Sequence, residues 1–81
     1  MMLYFEFEGR RLNAEVTWPK GDDGTITVLV TDARIARELP TDLFFDMNDG
    51  NRISYTIESP DNRRLTELQR VISRRLEDIV G

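Results

Sequence analysis

Leu3-Tyr4-Phe5-Glu6-Phe7-Glu8-Gly9-Arg10-Arg11-Leu12-Asn13-Ala14-Glu15-Val16 is the stretch whose reading decides the fold. Leu3, Phe5 and Phe7 alternate with Tyr4, Glu6 and Glu8, the period-two signature of a strand with one buried face. A two-residue turn at Gly9 and Arg10 sets Glu8 opposite Arg11, Phe7 opposite Leu12, Phe5 opposite Ala14 and Leu3 opposite Val16. Each core candidate then meets another. A slip of one residue would turn a whole strand over, so this agreement assigns the buried face.

The alternation continues outward from the hairpin. The second strand runs to Trp18 with Leu12, Ala14, Val16 and Trp18 facing inward, and Pro19 stops it. Ile26, Val28 and Val30 form the inward side of a third strand. A three-residue loop at Asp22, Asp23 and Gly24 pairs Trp18 with Val28 and Val16 with Val30. Asp32 is the expected N-cap of a short helix over Ala33 to Leu39, ended by Pro40. Leu43, Phe45 and Met47 then alternate, a loop at Asn48, Asp49 and Gly50 follows, and Ile53, Tyr55 and Ile57 form a fifth strand. That loop pairs Phe45 with Ile53, Leu43 with Tyr55 and Asp46 with Arg52.

From Pro60 the apolar period changes to about 3.6. Leu65, Leu68, Val71, Ile72, Leu76, Ile79 and Val80 make one helical stripe, with Ser59 or Asp61 as the expected cap and Gly81 as the end. A sheet with one apolar face and a helix with one apolar stripe cover each other. The expected fold is therefore α+β: an antiparallel sheet of about five strands in the order β-β-β-short α-β-β-α, with the long C-terminal helix packed on one face as a two-layer sandwich. Residues 1–81 read as a single domain, and a meander is the default strand order.

Composition narrows the chemistry. Cysteine and histidine are both absent from the 81 residues, which removes thiolate catalysis, zinc-thiolate sites and the commonest general base. An enzyme would have to work with carboxylates, Lys20, tyrosines or arginines alone, and no catalytic residue or cofactor is expected. Glu6, Glu15, Asp46 and Glu58 are the carboxylates of the outer sheet face, where nothing encloses a pair and raises one pKa. Asp46, Asn48 and Gly50 put glycine one place too early for an EF-hand loop, and no glutamate closes it. Turn chemistry accounts for these residues, and no metal is expected.

Met1 to Gly9 carries Glu6 and Glu8 inside its apolar run and has no basic start, unlike a signal peptide. No stretch approaches the roughly 20 apolar residues of a membrane span. The expectation is a soluble cytoplasmic protein with no membrane partner.

The net charge is −4, and ten of the eleven basic residues are arginine. Residues 1–59 hold six basic and eleven acidic side chains, and residues 60–81 hold five and four. An acidic sheet region repels phosphates, so nucleic-acid binding would need a local arginine surface. Arg63, Arg70 and Arg74 on the polar side of the C-terminal helix are that candidate, against which Glu67 pairs with Arg63 or Arg70 and Asp78 with Arg74. The other candidate surface is Tyr4, Leu29 and Phe44, three apolar residues on the face that alternation makes polar. The reading that follows is a non-enzymatic protein-interaction module, self-associating as a homodimer or binding a protein partner through the outer face or an edge strand. The alternative is a small regulatory protein that binds nucleic acid or another polyanion through the arginine helix.

Overall fold

The computed structural model describes residues 1–21, 24–48 and 52–81. Five antiparallel strands, β1 (Met2–Phe7), β2 (Arg10–Thr17), β3 (Gly24–Val30), β4 (Asp42–Asn48) and β5 (Arg52–Ser54), form one sheet in sequence order. The short helix α1 (Ala33–Glu38) joins β3 to β4, and the long helix α2 (Arg63–Val80) follows β5. The expected α+β meander is the observed architecture. Helix α2 packs against both edge strands, β1 and β5, so the sheet curls around it.

Inward alternation builds the core. Leu3, Phe5, Phe7, Leu12, Ala14, Val16, Ile26, Val28, Val30, Leu43, Phe45 and Met47 are buried from the sheet, and Leu65, Leu68, Ile72 and Leu76 from α2. Ile35 and Leu39 of the α1 segment close one end. Trp18, Ile53 and Tyr55 are half-buried against this cluster, and Tyr55 meets Phe45 edge to face at 5.4 Å between ring centroids. Ile57 departs from expectation: β5 ends at Ser54, and Ile57 lies beyond it, 47% exposed. Ile79, near the end of the α2 stripe, is exposed as well.

The faces are as expected, but the pairings are not. Leu3 lies opposite Ala14, Phe5 opposite Leu12 and Phe7 opposite Arg10, two residues away from a register set by a Gly9-Arg10 turn. The turn is Glu8-Gly9, with φ of 52° and 76°, and a type I′ turn needs positive φ at both central residues. Val16 pairs with Val28, and Met47 with Ile53, each again displaced by two. A two-residue shift keeps every side chain on its own face, so burial alone does not resist it. Asp22, Asp23, Asp49, Gly50 and Asn51, which carry the two expected loops and the calcium-like pattern, lie outside the described residues.

Caps fix both helices. Asp32 accepts from the backbone N–H groups of Arg34 and Ile35, each at 2.9 Å, as expected. Helix α2 is capped instead by Asn62, whose Oδ1 accepts from Leu65 N–H at 3.1 Å. Ser59 is spent one turn earlier, where its carbonyl accepts the Asn62 N–H at 2.9 Å. No helix among the described residues is long and apolar enough to cross a membrane.

Candidate binding groove at the first edge strand

Strand β1 has β2 on one side and, among the described residues, no strand on the other. Met1 exchanges both backbone hydrogen bonds with Val16, at 2.7 and 3.0 Å. Antiparallel alternation then turns the N–H and C=O groups of Leu3, Phe5 and Phe7 toward β2 and those of Met2, Tyr4 and Glu6 outward. Arg75 of α2 confirms this direction, because its Nε donates to the Tyr4 carbonyl at 3.0 Å. The other edge is β5, only three residues long. A short strand offers little for pairing, so β1 is the usable edge.

A groove of about 440 Å³ lies along β1, lined by Tyr4, Phe5, Glu6, Arg11, Arg70, Val71, Arg74 and Arg75. Four guanidinium groups converge there in a protein of net charge −4. Arg11 stands over the Tyr4 ring, its guanidinium carbon 5.3 Å from the centroid, and has no hydrogen-bond or ion-pair partner among the described residues. Arg70 is paired with Glu67 on its own helix, an interaction that raises the Arg70 pKa above its ordinary value. Arg75 is divided between Tyr4 O and Asp78, the latter at 3.2 Å. Arg74 has no hydrogen-bond or ion-pair partner among the described residues.

The two surfaces expected from sequence are thus redistributed. Tyr4 belongs with Arg70 and Arg74 at the groove, whereas Arg63 stands two turns earlier on α2 and does not line it. Leu29 and Phe44 are diagonal neighbours, since Leu29 faces Asp42 and Thr27 faces Phe44. They are 43% and 54% exposed, and Tyr4 is 48% exposed. Tyr4 faces Asn13 and Leu29 faces Glu15, so strand β2 separates Tyr4 from the other two. The trio is a pair and an outlier.

The pairing expected within α2 is also partly revised, since Asp78 takes Arg75 and leaves Arg74 open. Arg64 serves another purpose: its fork holds Glu8 at 2.7 and 2.8 Å, and its Nη1 reaches Glu38 at 2.7 Å. The outer-face carboxylates Glu6, Glu15, Asp46 and Glu58 are all exposed. Glu6 faces Arg11 and Glu15 faces Met2, not Asn13 and Tyr4 as the two-residue shift would have it.

Sequence reasoning missed Arg11 and Arg75 as groove residues. In the shifted register Arg11 sits opposite Glu8, far from Tyr4; in the true one it faces Glu6, diagonal to Tyr4. Arg75 flanks the apolar stripe of α2, and only the proximity of that flank to a sheet edge gives it a role. No protein-family model matches the chain, and neither curated proteins nor solved structures gave a match.

Proposed function

We propose that the protein is a non-enzymatic interaction module that binds a protein partner along the β1 edge, with the arginine groove as the charged half of the surface. One observation carries this reading: four guanidinium groups meet the strand whose outward N–H and C=O groups have no strand beside them among the described residues. Backbone groups supply affinity for an extended partner, and arginines select its charge. Bulk binding of nucleic acid is less well supported, because the protein is acidic overall and Glu6 stands among the groove residues.

A second reading, self-association through the outer face, rests on Leu29 and Phe44 as exposed diagonal neighbours. Affinity capture with three proteins separates the two: wild type, Arg70→Glu with Arg74→Glu, and Leu29→Asp with Phe44→Asp. Circular dichroism first establishes that each is folded. Partners retained by the wild type and the outer-face variant, but lost from the arginine variant, support the groove. Partners lost only from the outer-face variant move the function to Leu29 and Phe44, and identical capture by all three contradicts both surfaces.

A further inference from the structure

Resting on that reading, we infer that the occupant of the groove is an extended acidic segment of another protein, which adds to the sheet as a sixth strand beside β1 and places its carboxylates on Arg70 and Arg74. The backbone requirement comes first. Met2, Tyr4 and Glu6 present their N–H and C=O groups outward at the spacing of an antiparallel ladder, and of these groups the Tyr4 carbonyl alone has a partner among the described residues, the Arg75 side chain. A helix cannot satisfy such a row, whereas a chain in extended conformation can.

Charge then selects among extended chains. Arg70 and Arg74 are four residues apart on α2, about 6 Å along the axis. Residues that share a face of a strand are about 6.6 Å apart. An acidic-x-acidic pattern therefore suits the two guanidinium groups, while the intervening side chains face the Arg11 side. Arg74 has no partner to give up among the described residues, and Arg70 exchanges Glu67 for a carboxylate of the segment. Arg75 blocks the middle of the edge against a neutral strand. A carboxylate draws it off the Tyr4 carbonyl, which frees that acceptor for a backbone N–H of the incoming chain. The same arrangement opposes a second copy of this protein. Pairing β1 with its own two-fold mate would set both groups of four guanidinium groups against each other, and like charges at a sheet edge are an established means of preventing such pairing.

The test uses the whole protein, isotopically labelled, with a short capped peptide of alternating glutamate and valine. Its glutamine counterpart and an oligothymidylate of equal charge serve as comparisons. The glutamate peptide is expected to slow hydrogen exchange of the Tyr4 and Glu6 amides by about tenfold or more, with Leu3 and Phe5, already bonded to β2, unchanged. Binding weakens as salt is raised, is lost in Arg70→Glu with Arg74→Glu, and is weakened by Glu6→Pro, which removes one outward donor at an edge position where proline is tolerated. Saturation without slowed exchange at Tyr4 and Glu6 overturns strand addition. If that result accompanies loss of captured partners from the arginine variant, the groove stands as the binding surface and only the extended segment is wrong. Equal binding of the glutamine peptide removes the charge requirement, and binding of oligothymidylate in place of the peptide replaces the protein partner with a nucleic acid. Slowed exchange that appears only as protein concentration rises, without peptide, makes a second copy the occupant.

Discussion

Glu8 carries the least comfortable backbone of the described residues, since it is the one non-glycine among them with positive φ. Nothing about glutamate favours that conformation. What holds it is the Arg64 fork, which ties the β1-β2 turn to the start of α2, and through Glu38 to the end of α1. The same hydrogen bond from Arg64 holds the Glu8 carboxyl below its ordinary 4.5. Asp32 is likewise held below 3.8, first by the Ile35 N–H and then by Arg10. Both pKa values are depressed in the folded state, so each contribution is present above the unfolded value and is lost as pH falls through the folded one. Thermal melts should therefore show the melting temperature falling as pH drops below 4.5, with a shallower fall in Glu8→Gln than in wild type. Equal slopes in the two proteins would show that the Arg64 fork does not act on stability. Glu8 also marks where the sequence was hardest to read. Gly9 announces a turn, but glycine suits either central position of a two-residue hairpin loop, so its presence alone does not set the register.

At the scale of elements, period two told which residues face inward and period 3.6 told which side of α2 covers them. Neither tells which of two registers differing by two residues is adopted, because both bury the same set. The groove depends on that difference, since it places Arg11 beside Tyr4 instead of beside the turn. The core was therefore legible in the sequence, whereas the candidate site was legible only in its parts. Gln69 shows a related blindness: it is buried in the α2 interface, donating from Nε2 to the Thr56 carbonyl at 2.9 Å, at a position where the stripe asks for an apolar residue. Two variants test the element boundaries. Asn62→Ala removes the α2 cap and should cost about 1 kcal/mol in urea unfolding, while Ser59→Ala leaves the cap in place and should cost less. Gly24 has φ +144°, and a Cβ there would stand 2.6 Å from the Pro19 Cβ. Gly24→Ala should consequently cost more than about 1 kcal/mol by the same measurement, and a neutral result would contradict the close approach of β3 to Pro19.

For the whole molecule, the decisive fact is how little surface is left uncommitted. The inner face of the sheet and the stripe of α2 are used on each other, α1 and Leu39 close one end, and β5 is too short to recruit a strand. Among the described residues, what remains is the outer face, the polar side of α2 and the β1 edge, and the helix that fills the curl of the sheet delivers arginines to that edge. The fold and the candidate site are thus one arrangement: α2 covers the core with one flank and arms the open strand with the other. Backbone chemical-shift mapping of the labelled protein on addition of the alternating glutamate-valine peptide tests this most directly. The expected result is perturbation concentrated at residues 2–7, at Arg11 and along Arg70 to Arg75, with Leu29 and Phe44 unaffected. Perturbation centred on Leu29 and Phe44, with β1 and Arg74 unchanged, would contradict it.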